Sequence, residues 1–341
     1  LDRFLSELSR WGVSPTAVMG GPPASLGGGE RWSSNPLLEV LGSTSASWSD
    51  ELAAVAAPYA GVFRWWQLGD DEDALEDKGN RFGSAAANLR TALSRFITGP
   101  QLATVRRSAD DAAGERVPVE QLTVTLGRDV DTDWMGSWFR DYAGAGYEQV
   151  SLYVPPLSES RFERTARLAD WSQRVIAARH AGANTVYVPQ TWTTRVSDGD
   201  LVAEPAEEFV VLRTIADALG DSRPGPELSI AKGVRCLAFE TNSAAVMALW
   251  DQSAPPEGRV HAIQLGGASR YTDLWGRSFP LERDGEGLHL IRLSALPTFV
   301  DRVDGWLVDV SRSVALEPTW VQSGSDFVRH VLKIGGPGVA G

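Results

Sequence analysis

Four acids in a row, Asp70-Asp71-Glu72-Asp73, follow the run Val62–Leu68 after a single glycine, Gly69. Carboxyls placed where a strand ends suit general acid and base chemistry, which needs a proton donor and an acceptor within reach of one reacting bond. Asp71 is the candidate acid. Asp70 beside it and Asp129, which follows the run Leu122–Leu126, are candidates for the second carboxylate. Other chemistries lack their residues. The four histidines, His180, His261, His289 and His330, have no metal-ligand spacing, so no metal is expected. Neither a Gly-x-Ser-x-Gly elbow nor a phosphate loop occurs, and no cofactor is expected.

The elements that position these acids alternate. Thr16–Met19, Val62–Leu68, Leu102–Val105, Leu122–Leu126, Tyr147–Val154 and Thr185–Val188 read as strands. Asn80–Phe96, Asp133–Ala143, Arg161–Ala181 and Pro205–Leu219 read as helices between and after them. Such alternation predicts a parallel sheet wrapped by helices. The first residues, apolar at positions 1, 4, 5 and 8, follow helical spacing with no capping residue before them, so the chain is read as opening inside an element. Six strands then count as strands three to eight of an incomplete (β/α)8 barrel, which closes with eight. A doubly wound open sheet is the alternative, but no Gly-x-Gly-x-x-Gly turn opens a helix after any of these strands.

Near Asp221–Gly225 a Pro/Gly-rich stretch precedes short runs punctuated by turns: Leu228–Ile230, Arg235–Phe239, Ala245–Leu249, Val260–Leu265, Leu288–Leu293 and Trp306–Val310. They predict an all-β sandwich. The expected division is residues 1–222 for the barrel, 226–322 for the sandwich, and 323–341 for a tail or the start of a further module.

The segment Phe63-Arg64-Trp65-Trp66-Gln67-Leu68-Gly69-Asp70-Asp71 resembles the strand-four motif of the retaining glycoside hydrolase clan built on (β/α)8 barrels. That motif reads roughly Trp-Gln-x-Gly-Asn-Glu, with the Glu as acid/base. Trp66, Gln67 and Gly69 match it, while Asp70 stands at the Asn position and Asp71 at the Glu position. Gly99-Pro100 and Tyr187-Val188-Pro189-Gln190-Thr191-Trp192 resemble the same family, and the sandwich resembles the β-domain that often follows such barrels.

The resemblance implies a polysaccharide or oligosaccharide as partner and an extracellular or periplasmic location. It also implies a sugar site at the barrel mouth lined by Trp66, Gln67, Tyr153, Gln190 and Trp192. Trp65 and Trp66 alternate across a strand, so one of them packs between barrel and helices, and Trp66 is taken as the binding residue. The second acid belongs at the end of strand seven, but Tyr147–Pro156 has none there. Glu148 lies at the wrong end, by about 20 Å. Two readings follow: a glycosidase using Asp71 with Asp70 or Asp129, or a non-catalytic relative serving as a carbohydrate-binding or scaffold module. A sandwich acting as a protein-interaction domain is a third.

Composition narrows the partners. The 341 residues carry 44 acids against 32 Lys and Arg, a net charge of −12 that repels a phosphate backbone, so nucleic acid is not expected. No apolar window reaches the length of a membrane span. Cys236 is the only cysteine, which rules out an internal disulfide. Thirteen Trp is a supply of flat rings suited to sugar faces as well as to cores.

Overall fold

A computed structural model describes residues 2–10, 12–21, 36–43, 48–71, 81–107, 116–127, 130, 132–133, 135–197, 200–242, 244–318 and 330–334. The chain packs as two compact units. One comprises Leu1–Pro155 with Ala183–Val188, the other Pro156–Gly182 with Pro189–Gly341.

The first unit runs α1 (Asp2–Arg10), β1 (Thr16–Met19), α2 (Pro36–Gly42), α3 (Ser49–Ala56), a 3-10 turn at Ala57–Tyr59 and β2 (Trp65–Leu68). It continues with α4 (Arg81–Leu93), β3 (Gln101–Arg107), β4 (Gln121–Thr125), α5 (Met135–Ala143), β5 (Gln149–Tyr153) and, after the long helix of the other unit, β6 (Thr185–Tyr187). The six strands form one parallel sheet in the order β1-β2-β3-β4-β5-β6. Each strand adds on the same side as the last. A doubly wound sheet would reverse direction part-way, so the order is that of a half-barrel.

Strand register sorts the side chains onto two faces, because partners on neighbouring strands point the same way. Leu68, Leu102, Leu122, Val124, Val150 and Leu152 share one face and are buried. Helices supply the apolar surface that covers such a face, and Phe82, Ala85, Ala86, Leu89 and Leu93 form the buried stripe of α4 at helical spacing. The other face carries Gln67, Gln121, Thr123, Thr125, Ser151, Tyr153 and Tyr187. This inner face is polar because it lines the interior of the half-barrel.

The second unit holds α6 (Arg164–His180), a hairpin of β7 (Trp192–Ser197) and β8 (Asp200–Pro205), α7 (Glu207–Leu219), β9 (Arg223–Glu227), β10 (Val234–Glu240) and β11 (Ala245–Asp251). There follow β12 (Arg259–Ile263), β13 (Arg270–Thr272), β14 (Ser278–Pro280), β15 (Glu282–Arg283), β16 (His289–Leu293), β17 (Thr298–Val303), α8 (Gly305–Ser313), β18 (Val314–Pro318) and β19 (His330–Ile334). Strands β14-β13-β17-β11-β10-β9 form an antiparallel sheet, and β12-β16-β15 a smaller one. Their facing side chains, among them Cys236, Met247, Leu249, Ile263, Ile291 and Val300, make one apolar core. Burial pushes the Cys236 thiol well above its usual range, so it packs as an inert apolar group.

Three expectations are corrected. Trp306–Val310 is not a strand but part of α8. A short apolar run has no decisive period, and helix and strand are confused there. The stretch expected to be a linker, Asp221–Gly225, leads into β9, while Leu228–Ile230 lies outside any strand. Pro224 and Pro226 disguise β9; they are tolerated because it is the edge of its sheet, with a register shift against β10. The hairpin β7–β8, unassigned from sequence, is paired from Trp192–Pro205 to Ser197–Asp200.

His180 ends α6 with its ring edge-on to Phe239, centroids 5.4 Å apart. Burial holds its pKa below 6.5, against the opposing pull of Glu227. Because the folded value is depressed, the unfolded chain takes up the proton first as pH falls. Stability is therefore expected to fall as pH drops below about 6.5 towards the folded value. Urea midpoints taken from pH 7.5 down to 5 should slope in the native protein and flatten in His180→Phe.

Candidate functional site

The end of β2 is where the sequence concentrates its acids. Gly69 N–H donates to Met19 O at 3.0 Å, continuing the ladder onto β1. The backbone then turns at Gly69 with φ of 84°, a left-handed conformation natural to glycine. Asp70 lies over the end of β1, where a Cβ built on Gly20 would sit 3.6 Å from Asp70 Oδ2. Asp71 leans towards β4, and Thr125 Oγ1 donates to its backbone oxygen at 2.6 Å.

Gln67 fixes the Asp71 side chain. Its Nε2 donates to Asp71 Oδ1 at 2.8 Å and to Gly69 O at 3.1 Å. Its Oε1 accepts from Thr123 Oγ1 at 3.4 Å. Gln67 and Thr123 are both buried, whereas Asp71 is half-buried. The amide thus bridges the interior of the sheet to a carboxylate that still meets solvent. A second polar group lies further along the same face, where Gln121 Nε2 donates to Ser151 Oγ at 3.1 Å and to Tyr187 Oη at 3.3 Å.

The remaining candidates fall as follows. Tyr153 ends β5 on the inner face, in register with Thr125 and Tyr187, and is 4% exposed. Trp66 points the other way: it is buried on the helix-facing side with its ring edge-on to Phe63, 5.9 Å between centroids. It is Trp65 that shares the face of Gln67. Gln190 and Trp192 belong to the second unit, where Gln190 Nε2 donates to Trp192 O at 2.7 Å and Trp192 opens the exposed hairpin. Asp129 lies outside the described residues. Among the described residues no group of His, Cys, Asp or Glu could hold a metal ion.

No family model matches the sequence, and no curated protein matches it. Solved structures do. A family 39 glycoside hydrolase from the gut symbiont Bacteroides cellulosilyticus WH2 aligns with a TM-score of 0.64 at 12% identity, over 88% of this chain and 70% of its own. A family 30 endoxylanase from Clostridium papyrosolvens C71 aligns with a TM-score of 0.53 at 12% identity, over 87% and 81%. The fold is one shared with these glycoside hydrolases.

In (β/α)8-barrel enzymes, active sites sit at the carboxyl ends of the barrel strands. Asp70 and Asp71 occupy such an end. The end of β5, where the resemblance to the retaining clan calls for a second acid, carries Tyr153-Val154-Pro155 instead. Gln121, Thr123, Thr125 and Ser151 were not singled out from sequence. For the three in β4 the signal was the alternation Gln121-Leu122-Thr123-Val124-Thr125, polar at every second residue in a strand expected to be covered on both faces.

Proposed function

We propose that this chain is a glycosidase relative whose barrel mouth holds carbohydrate without cleaving it. The observation that carries the reading is the pairing of Asp71 with Gln67 together with a carboxyl-free end to β5. Hydrolysis needs two carboxyls facing one bond, about 5–5.5 Å apart for retention or about 6.5–9.5 Å for inversion. The Asp70 carboxyl lies beside Gly20 past the end of β1, while the Asp71 carboxyl is held by Gln67 of β2. A fixed carboxylate, by contrast, is a good acceptor for sugar hydroxyls, and Tyr153 and Tyr187 add phenol groups on the same face. Charge supports a neutral or weakly polar partner over nucleic acid, and an extracellular polysaccharide fits the family likeness.

Hydrolysis is the second reading, with Asp71 as acid and Asp129 as its partner. It draws on β4, which holds the Asp71 backbone through Thr125 and which Asp129 follows in sequence.

The test is binding and reducing-sugar release on a polysaccharide panel, comparing the complete natural protein with Asp71→Asn. Binding without release is expected from the native protein. The variant should bind about tenfold more weakly, since it loses a charge-assisted acceptor. Sugar release by the native protein that vanishes in the variant would establish the hydrolytic reading instead.

A further inference from the structure

Strand register carries the inner face of the half-barrel out to one further residue. Arg107 ends β3 and pairs with Thr125 of β4, Thr125 with Tyr153 of β5, and Tyr153 with Tyr187 of β6. Partners on neighbouring strands point the same way, so these four residues form one row on the inner face, at the carboxyl ends of four successive strands. Asp71 reaches the same row, because its backbone oxygen accepts from Thr125 Oγ1 at 2.6 Å. All five residues belong to the first unit.

Arg107 is the charge on that face. Every other described position that register places there on the six strands is neutral, Gln67, Val105, Gln121, Thr123 and Ser151 among them. These five are buried, whereas Arg107 is exposed. A guanidinium set deeper would have to give up its water, while in the last row it faces the mouth hydrated and open to a ligand.

The chemistry of the row is complementary. An ionised carboxylate only accepts and a guanidinium only donates, through five N–H groups in a fixed plane, while each phenol does both. A sugar hydroxyl also donates and accepts, so it needs a partner of each kind. Asp71, held by Gln67, supplies the acceptor, and Arg107 supplies the donor. Asp70 and Asp71 set two negative charges at this end of the sheet, on a chain of net charge −12, which disfavours a carboxylated or sulfated sugar.

We propose that Arg107 contacts the sugar and fits the mouth to neutral glycans, donating to hydroxyls whose own protons go to the Asp71 carboxylate. The inference rests on the sugar reading of the barrel mouth and adds its donor half.

Calorimetric titration of the complete natural protein with xylan, mannan, soluble β-glucan and polygalacturonate tests it. Binding of at least one neutral polysaccharide and none of polygalacturonate is expected. Arg107→Gln should weaken the neutral binding about tenfold, and Arg107→Lys, which keeps the charge but loses the planar fork, should fall between. Urea midpoints of both variants should match the native one, because the side chain is exposed. Neutral binding unchanged in Arg107→Gln would overturn the proposal and leave the sugar reading standing. Polygalacturonate binding that disappears in Arg107→Gln would overturn the neutral class, and weaker binding with lowered urea midpoints in both variants would make Arg107 structural. No binding of any polysaccharide by the native protein would remove the sugar reading and this inference together.

Discussion

Replacing Asp251 by alanine is expected to lower the unfolding free energy by about 3 kcal/mol. Asp251 ends β11 with no exposed surface. Its carboxylate accepts from Ser253 N at 2.9 Å, Ser253 Oγ at 2.7 Å, Arg259 Nη1 at 2.9 Å and His261 Nε2 at 3.1 Å. Alanine would strand these donors together in the connection that leads from β11 into β12. The figure sits at the low end for breaking a buried pair because the Arg259 side chain is 47% exposed and recovers water. Urea unfolding should show a lower midpoint with an unchanged slope. Acidity adds a second signature. Burial alone would raise the Asp251 pKa, but the Ser253, His261 and Arg259 contacts outweigh it and hold the value below 3.8. A depressed carboxylate contributes its stability above the unfolded value and loses it as pH falls through the folded one. The difference between native protein and Asp251→Ala should therefore be full above about pH 4 and shrink below it. A difference that stays constant down to pH 2 would contradict this account.

Gln67→Leu is expected to weaken carbohydrate binding by at least about tenfold, more than its effect on folding would suggest. Leucine keeps the buried volume and the β2 register but removes the amide that joins Thr123 to Asp71. The Asp71 carboxylate would then be free to rotate into solvent, and Thr123, fully buried, would lose its acceptor. Thr123→Ser, which retains the hydroxyl, should bind as the native protein does. If Gln67→Leu binds sugar normally while Asp71→Asn does not, the carboxylate acts without its clamp, and only the positioning role of Gln67 falls.

The order of the strands in the first unit, with α4 and α5 between them, was legible because each apolar run is bounded by turn residues and these helices keep their period; the short helices α2 and α3 were not read. Thr16–Met19 was read to the residue, and Gln149–Tyr153 lies within the run Tyr147–Val154. Facing was harder. Alternation says that Trp65 and Trp66 point apart, but only the register against Gln101 and Leu102 decides which of them meets the helices. The clamp on Asp71 was hidden for a similar reason, since Thr123 and Thr125 lie more than fifty residues from it and a parallel sheet brings them close. The hairpin β7–β8 did leave a mark: Asp198-Gly199 stands between its strands, a strong short-range hairpin signal. In the second unit Trp306–Val310 offered too short a run to tell helix from strand, whereas Ala245–Leu249 stood out by its unbroken apolar character.

That unbroken character follows from the position of β11, which pairs with β10 on one side and β17 on the other and is buried along its whole length. Its first six residues, Ala-Val-Met-Ala-Leu-Trp, contain neither charge nor proline. Outside the folded sheet such a stretch is adhesive, the kind that stacks with copies of itself. Synthesis aggravates the exposure: Thr298, where β17 begins, comes forty-seven positions after Asp251. At about 5–20 residues per second a nascent chain carries β11 without its second neighbour for about 2–10 s. Asp251 places a charge at the end of that strand, so the carboxylate that anchors the β11–β12 connection in the folded protein is also the kind of residue that guards an apolar strand against self-association.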